Sequence, residues 1–593
     1  QTTMLLSMYY LCFSLYVFLT TAQKKTNTDI NLLPVINILG NKFFDSKTNE
    51  QFFIKGIAYQ PTLTAEELSK LSSTDAKYID PLADKTTCDR DIPLLAKLGV
   101  NVIRVYQIDT SKNHDYCMNE LSKNGIYVIA DLSEPEQSIV RENPKFTTEI
   151  FQRYIDVVHV MSHYSNTLGF FAGNEVTNDK TTSLASAYVK ASVRDIKSYI
   201  RKAADEGKIP RSVPVGYSTN DDPEVRTQLM DYFLCNTNPE DSIDFYGVNI
   251  YEWCGYSSYV SSGYKDRTEE LKDYPIPLFM SEFGCNTYRP RPFTEVETIF
   301  SPVMTDVWSG GLVYMFFEEE NEYGLVKRVS PSKVEILPEF DNLAKQYNNA
   351  NPKKVTKAEY TVKLQTKKEK TYTCPALSPN WQARGDELPP TPNFKKCKCL
   401  NDLPCGLSKP LQTKEMYQQP FEILCDIVDC SDIEYVNGMY GDNSDCSKEE
   451  QLAYIMSKVY YLQKGQQGCP LQNILPQYVK FNEKYSQLSN LDKKDFCSVV
   501  ALEASERSLE KGSDLASIPS AFKKTKKSSK SSNEKIIHGS KSKMNDSKGH
   551  SIERIKESQS VSQTKQNKVQ MNAGMKTKTN LSYFILSMFL FNF

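Results

Sequence analysis

The chain has 593 residues, too many for one domain at about 150 residues each, so two or more are expected. Hydrophobic residues make up 40% and charged residues 24%, a globular balance that excludes a wholly disordered, collagen-like or multi-span membrane protein. The net charge of −2 gives no signal for nucleic acid, five His without HExxH or paired CxxC leave little for zinc, and 15 Cys suit a secreted, disulfide-held chain.

In chain order, the first element is an apolar run, LLSMYYLCFSLYVFL (5–19), followed by Thr20, Thr21 and Ala22. It is short for a membrane span, and the small residues suit signal-peptidase cleavage, so residues 1–22 are expected to be a signal peptide. Its removal takes Cys12 and leaves 14 Cys, an even number. Residues 23–350 alternate short apolar strands with helical patterns. The strands read as QFFIKGIAY (51–59), NVIRVYQID (101–109), IYVIADLS (126–133), LGFFAGNEV (168–176), VPVGYST (213–219), IDFYGVNIYEW (243–253), IPLFMSEFG (276–284) and GGLVYMFFE (310–318). DIPLLAKLG (91–99), DYCMNELSKNG (115–125) and YVKASVRDIKSYIRKAADEG (188–207) read as helices between them. Eight parallel strands with intervening helices predict an α/β fold, a closed (β/α)8 TIM barrel. The alternative, a doubly wound open sheet, usually carries a Gly-rich phosphate loop, and no GxGxxG or GxxxxGK[ST] is present.

Residues 351–395 are rich in Lys, Thr and Pro and read as a connector. In 396–500, Cys397, Cys399, Cys405, Cys425, Cys430, Cys446, Cys469 and Cys497 crowd into about 100 residues, the density of a small disulfide-stapled module whose pairing the sequence does not resolve. Within it LAYIMSKVYYL (452–462) has the spacing of an amphipathic helix. Residues 501–571 read as a solvated stalk: between 521 and 570 there are 12 Lys and 11 Ser against four acidic residues, with one sequon at Asn545-Asp546-Ser547. At 572–593, the small residues Asn572, Ala573 and Gly574, a polar spacer and the apolar tail LSYFILSMFLFNF follow the order of a GPI-attachment signal, with Asn572 as the expected attachment residue. The mature protein is therefore expected outside the cell, lipid-anchored on the outer face of the plasma membrane or in a wall.

Catalytic groups of a barrel sit at the C-terminal strand ends. Those ends carry Tyr59-Gln60, Arg104 and Tyr106, Asp131, Asn174-Glu175, Tyr217, Asn249 and Tyr251, Glu282, and Tyr314. Glu175 and Glu282 stand out because apolar runs deliver them on the fourth and seventh strands, which face each other across the barrel mouth. Glycoside cleavage uses such a pair, one carboxyl to protonate the leaving oxygen and one to attack or stabilise the anomeric carbon; a separation of ~5–5.5 Å makes the second a nucleophile and retains configuration. Two neighbouring anions also raise one pKa, which would keep a general acid protonated near neutral pH. Asn174 is placed to bond a sugar 2-OH, and tyrosines suit sugars because the ring face stacks while the hydroxyl bonds. The candidate substrate contacts are thus Tyr59, Gln60, Arg104, Tyr106, Asp131, Asn174, Tyr251 and Tyr314. The run EEENE (318–322) reads as a solvated loop rather than a metal site, and this chemistry needs no metal and no cofactor.

FAGNEV (171–176), DFYGVNIYEWCGYSSY (244–259), MSEFGCN (280–286) and GGLVYMFFEEENEYGLV (310–326) together resemble the fungal β-1,3-glucanosyltransferases of glycoside hydrolase family 72, over about residues 30–350. The cysteine-rich part resembles the family 43 carbohydrate-binding module that accompanies one branch of them. The resemblance implies that Glu175 is the acid/base and Glu282 the nucleophile, and that Gln60, Tyr106, Asp131, Asn174, Tyr251 and Tyr314 line the donor and acceptor subsites. It also implies the disulfides Cys88–Cys117, Cys235–Cys374 and Cys254–Cys285. Two departures are Phe283, where many members have Tyr, and a stalk richer in Lys than in Ser. The implied reaction cleaves an internal β-1,3-glucan linkage and joins the fragment to the non-reducing end of another glucan. The expected partners are donor and acceptor glucans and the GPI lipid, with no nucleic acid, and the enzyme is expected to be a monomer. Hydrolysis by an endo-β-1,3-glucanase uses the same carboxylates, so the residues alone leave it open. A non-catalytic glucan-binding wall protein is the third alternative.

Overall fold

A computed structural model describes residues 33–485, except 72–76, 236–237, 367–369, 414, 437, 466 and 484. The expected signal peptide, stalk and GPI signal, with Cys12, Cys497, Asn545 and Asn572, lie outside the described residues.

Eight parallel strands close into a barrel in chain order, the eighth pairing with the first. They are strand 1 (Ile54–Ala58), strand 2 (Val102–Val105), strand 3 (Tyr127–Asp131), strand 4 (Thr167–Asn174), strand 5 (Val215–Asn220), strand 6 (Tyr246–Asn249), strand 7 (Leu278–Phe283) and strand 8 (Trp308–Val313). Each lies within or overlaps the apolar run expected for it. The runs read as nearly continuous because both strand faces are buried, one in the barrel and one under helices. Phe171, Phe245, Phe279 and Leu312 fill the interior, and Phe43 closes the end opposite the strand C-termini from a three-stranded antiparallel meander, Ile36–Leu39, Lys42–Asp45 and Gln51–Phe52. Gly310 lies at φ +98°, and a Cβ there would stand 2.2 Å from the carbonyl oxygen of Ile54, so closure of strand 8 onto strand 1 requires glycine.

The helix read at 91–99 is longer, Lys85–Leu98, because Asp84 caps it by accepting from the Thr87 N–H at 2.8 Å, and Gly99 ends it in the left-handed region. Cys88 on this helix is bonded to Cys117 on the helix Asp115–Lys123. The disulfide Cys254–Cys285 joins the segments after strands 6 and 7, and Cys235–Cys374 ties the barrel to the stretch read as a connector. That stretch packs on the barrel rather than spanning solvent. It forms the helix Lys357–Thr366, inserts Tyr360 beside Asn41, and buries Trp381 against Tyr232.

The module contains the helices Phe394–Leu400, Glu415–Cys425 and Lys448–Leu462 and two short two-stranded sheets. Ser447 and Glu450 form a capping box that starts Lys448–Leu462. This helix is buried from Gln451 to Val459 on every face, not on one stripe as its spacing suggested, because the rest of the module wraps it. Its Lys458 is tolerated inside by Asp432 at 2.8 Å and the Asp429 carbonyl at 2.6 Å. Disulfides join Cys397 to Cys446, Cys405 to Cys469 and Cys425 to Cys430, and Cys399 is also disulfide-bonded. The module rests on the barrel helix Thr148–Met161, where Phe394 stacks on Phe151 and the Thr148 N–H donates to the Asp445 carbonyl at 2.8 Å. Among the described residues no helix is long and apolar enough to cross a membrane.

Candidate active site

The C-terminal strand ends bring Glu175 and Glu282 into one polar network. Glu282 is the penultimate residue of strand 7 and is buried. Its Oε1 accepts from the Tyr106 hydroxyl at 2.7 Å and its Oε2 from the Tyr251 hydroxyl at 2.8 Å, while Arg104 Nη1 lies 3.4 Å from Oε1. Glu175 follows strand 4 in the left-handed region, φ +48°, with its N–H bonded to the Ser218 carbonyl at 2.9 Å. A non-glycine residue held there is strained, and such residues concentrate at functional sites. Asn249 Nδ2 donates to Glu175 Oε1 at 2.8 Å and to Asn174 Oδ1 at 3.3 Å. The Ser218 hydroxyl donates to Asn174 Oδ1 at 2.7 Å and meets the Ser281 hydroxyl at 2.8 Å, and Ser281 donates to Asn249 Oδ1 at 2.7 Å. Asn174 is thereby fixed beside Glu175.

An upward pKa shift falls on Glu282, the carboxyl expected to act as nucleophile. Burial pushes Glu282 up to about 7, opposed by Arg104, reinforced by the Glu175 charge, and opposed again by the Tyr106 and Tyr251 hydroxyls. Glu282 sits inside the barrel end, which supplies that burial, while Glu175 lies beyond its strand and is half-buried.

Arg104 is fully buried beneath this pair. It forks onto Asp131 through Nε at 3.0 Å and Nη2 at 2.9 Å, between the rings of Tyr106 and Phe171 at 4.4 and 4.5 Å. Arg104 and Asp131 were expected as substrate contacts; the structure puts them underneath, where they position Tyr106 and Glu282. Gln60 accepts from the backbone N–H groups of Tyr106 and Gln107, both at 3.2 Å, so it holds the segment that carries Tyr106. Tyr59 is not brought to the site. Its side chain is buried toward the helix Lys85–Leu98, its hydroxyl donating to Asp91 at 2.8 Å and its ring against Phe316 and Phe317. Successive strand residues point to opposite faces, so Tyr59 and Gln60 cannot both enter the mouth. Tyr217 is likewise buried in the surrounding layer, accepting from the Thr177 N–H.

Tyr251 packs edge-on against Tyr314 and Tyr323, with centroids at 6.5 and 5.8 Å, which makes an aromatic wall beside Glu282. Asn249, Ser218, Ser281 and Tyr323 were given no role from the sequence, although Asn249 ends an apolar run as the chosen residues do. The acidic run is a loop in which Glu320 and Glu322 are exposed, while Glu318 accepts from the Gly324 N–H at 2.6 Å, Glu319 from the Thr62 N–H at 3.0 Å, and Glu322 pairs with Arg289 at 3.2 Å. Phe283, the departure from the family pattern, is fully buried. The only group of His, Cys, Asp and Glu with metal-ligand proximity among the described residues is Cys397, Asp445 and Cys446, whose two sulfurs form a disulfide.

A barrel with paired glutamates at strands 4 and 7, tyrosine hydroxyls donating to one of them and an aromatic wall beside it has the equipment of a glycoside-cleaving enzyme. Residues 25–351 match the glucanosyltransferase model of glycoside hydrolase family 72, and residues 403–474 match the X8 domain; the chain belongs to this glucanosyltransferase family. It is 48% identical over 464 residues to the 1,3-beta-glucanosyltransferase GAS2 of Saccharomyces cerevisiae, covering 77% of this chain and 82% of that one. It is 42% identical over 470 residues to pH-responsive protein 1 of Candida albicans, covering 78% and 83%. A mutant of Saccharomyces cerevisiae Gas2p solved in complex with laminaritetraose and laminaripentaose superposes with a TM-score of 0.70 at 46% identity, covering 79% of this chain and all of that one.

Proposed function

We propose that this chain is a retaining 1,3-β-glucanosyltransferase that elongates β-1,3-glucan outside the cell, with Glu282 as nucleophile and Glu175 as acid/base. The observation that carries the roles is the asymmetry of the pair: Glu282 is gripped by two tyrosine hydroxyls and a buried arginine, which favour its anionic form, whereas Glu175 receives one amide N–H from Asn249. In the first step Glu282 attacks the anomeric carbon of an internal linkage, the C1–O3 bond breaks, and Glu175 gives its proton to the departing O3. In the second, Glu175, now a carboxylate, takes the proton from the 3-OH of an arriving glucan end. That oxygen attacks C1 and Glu282 is released. The relatives named as 1,3-beta-glucanosyltransferases support a sugar acceptor over water in this second step. The glucan class of substrate is supported by the laminari-oligosaccharides bound to Gas2p. We further propose residues 1–22 as signal peptide and Asn572 as the site of a GPI anchor, on the sequence patterns given above.

The test is the product profile from one defined β-1,3-gluco-oligosaccharide. Transfer gives products both longer and shorter than the donor; shorter products alone would mean an endo-β-1,3-glucanase. A folded protein that binds glucan without turnover would instead make it a wall-binding protein.

The grip on Glu282 also sets a pH dependence. The free enzyme needs Glu282 ionised, so kcat/KM rises with pH through the Glu282 pKa. Tyr106→Phe or Tyr251→Phe removes a donor to the carboxylate and pushes that pKa further up. The acid limb of the kcat/KM profile is expected to move to higher pH by about one unit in either variant. A limb that stays in place or moves down would show that these hydroxyls do not hold the ionised form.

A further inference from the structure

We propose that Tyr256 and Tyr288 form a stacking platform that binds a glucose unit of the glucan away from the reacting centre, so that long chains are favoured over short ones. This rests on the glucanosyltransferase reading. The mouth tyrosines Tyr106, Tyr251, Tyr314 and Tyr323 are half-buried, but Tyr256 is 73% exposed and Tyr288 49%. Their rings meet edge to face, with centroids 5.6 Å apart at 82°, an arrangement that steadies both while a broad ring face stays open.

The pair is built into the same part of the barrel as the carboxylates. Tyr256 lies five residues beyond Tyr251, and Tyr288 six beyond Glu282, on segments joined by Cys254–Cys285. Gly255 lies at φ +65°, and a Cβ there would stand 2.7 Å from Cγ of Tyr288, so the glycine leaves the space in which that ring rests. Asn286 Nδ2 donates to the Asn321 carbonyl at 2.8 Å, which fixes the Tyr288 segment to the one bearing Tyr323. Tyr323 in turn packs on Tyr251 and Tyr314, at 5.8 and 5.3 Å. The segment carrying Tyr288 is thus tied to the one carrying Tyr323, which belongs to the aromatic wall beside Glu282.

The chemistry of the platform fits a neutral sugar. A β-glucose unit carries its hydroxyls equatorially and presents C–H groups on its faces, so a ring can cover one face while the hydroxyls stay in water. An anion finds less: Arg289, adjacent to Tyr288, is occupied by Glu339 at 2.9 Å and Glu322 at 3.2 Å. Exposed apolar surface of this kind marks binding sites.

The experiment measures kcat/KM on a series of β-1,3-gluco-oligosaccharides of increasing length for the full protein and for Tyr256→Ala, Tyr288→Ala, Tyr256→Phe and Tyr288→Phe. Each alanine variant is expected to lose ~5–10-fold on the longest chain and nothing on the shortest that the unaltered protein turns over. The phenylalanine variants are expected to keep the original profile, since the ring does the binding. Equal losses at every length, or unchanged rates at every length, would overturn the platform. If the unaltered protein turned over none of the chains, the glucanosyltransferase reading would fall instead. Calorimetric titration of the same oligosaccharides into it and the alanine variants would then decide the platform separately, unchanged affinity overturning it.

Discussion

Glu282→Gln is expected to lower the transfer rate by at least ~10⁴-fold and, at neutral pH, to make the folded protein more stable. In the proposed mechanism the loss follows because the amide cannot form the glycosyl-enzyme, and Glu175, engaged by Asn249, is needed for the proton. The gain follows from linkage. Burial raises the Glu282 pKa to about 7 from a usual value near 4.5, so the folded state prefers the neutral carboxyl. A raised pKa contributes stability that is fully present below about 4.5 and is lost as pH rises through about 7. Above that the folded protein holds a charge it would rather not bury. Gln is neutral throughout, so the variant is expected to exceed the unaltered protein by ~1–3 kcal/mol above pH 7, with the difference shrinking toward pH 4. Thermal melts across that range check it. A Gln variant less stable at pH 8 than at pH 4, relative to the original, would sink the assignment of Glu282 as a strained buried charge.

The roles of the two glutamates separate further under azide rescue of alanine variants with an aryl β-glucan donor. Glu282→Ala leaves the acid in place, so azide enters from the vacated face and gives the α-azide. Glu175→Ala leaves the nucleophile, which still expels a good leaving group; azide then displaces the glycosyl-enzyme and gives the β-azide. The same anomer from both variants would remove the distinction on which the mechanism rests.

Much of this site was legible in the sequence because apolar runs that are buried on both faces end abruptly, and the residue at each end stands out. Glu175, Glu282, Tyr106, Tyr251 and Asn174 were found that way and lie together. Depth below the rim was not legible. Arg104 and Asp131 sit at strand ends too, but a strand end only two residues deeper lies beneath the mouth, and only neighbours in space reveal it. Tyr59 failed for a related reason, since the parity of its position, not its type, points it outward. Ser218 and Ser281 give no signal in a sequence: a small hydroxyl acquires meaning only from what it bonds.

The second large effect comes from that hidden layer. Arg104→Met is expected to destabilise the protein by ~3–5 kcal/mol, because it strands the buried carboxylate of Asp131 without a partner. Arg104 and Asp131 are both nearly or wholly inaccessible, so water cannot compensate. Asp131→Asn is expected to cost less, since Arg104 keeps Glu282 as a counter-charge at 3.4 Å. In the double variant Arg104→Met, Asp131→Asn both charges are gone, and most of the lost stability is expected to return. Activity should not return with it. Without Arg104 the Glu282 carboxylate loses the cation beside it, its pKa rises further, and Tyr106 loses the guanidinium stacked on its ring. The double variant is thus expected to melt near the original but to reach its maximal kcat/KM only at higher pH. Strictly additive losses in the melts would mean that the pair is not coupled. A double variant with the original pH profile would mean that Arg104 holds up the barrel mouth without tuning the nucleophile.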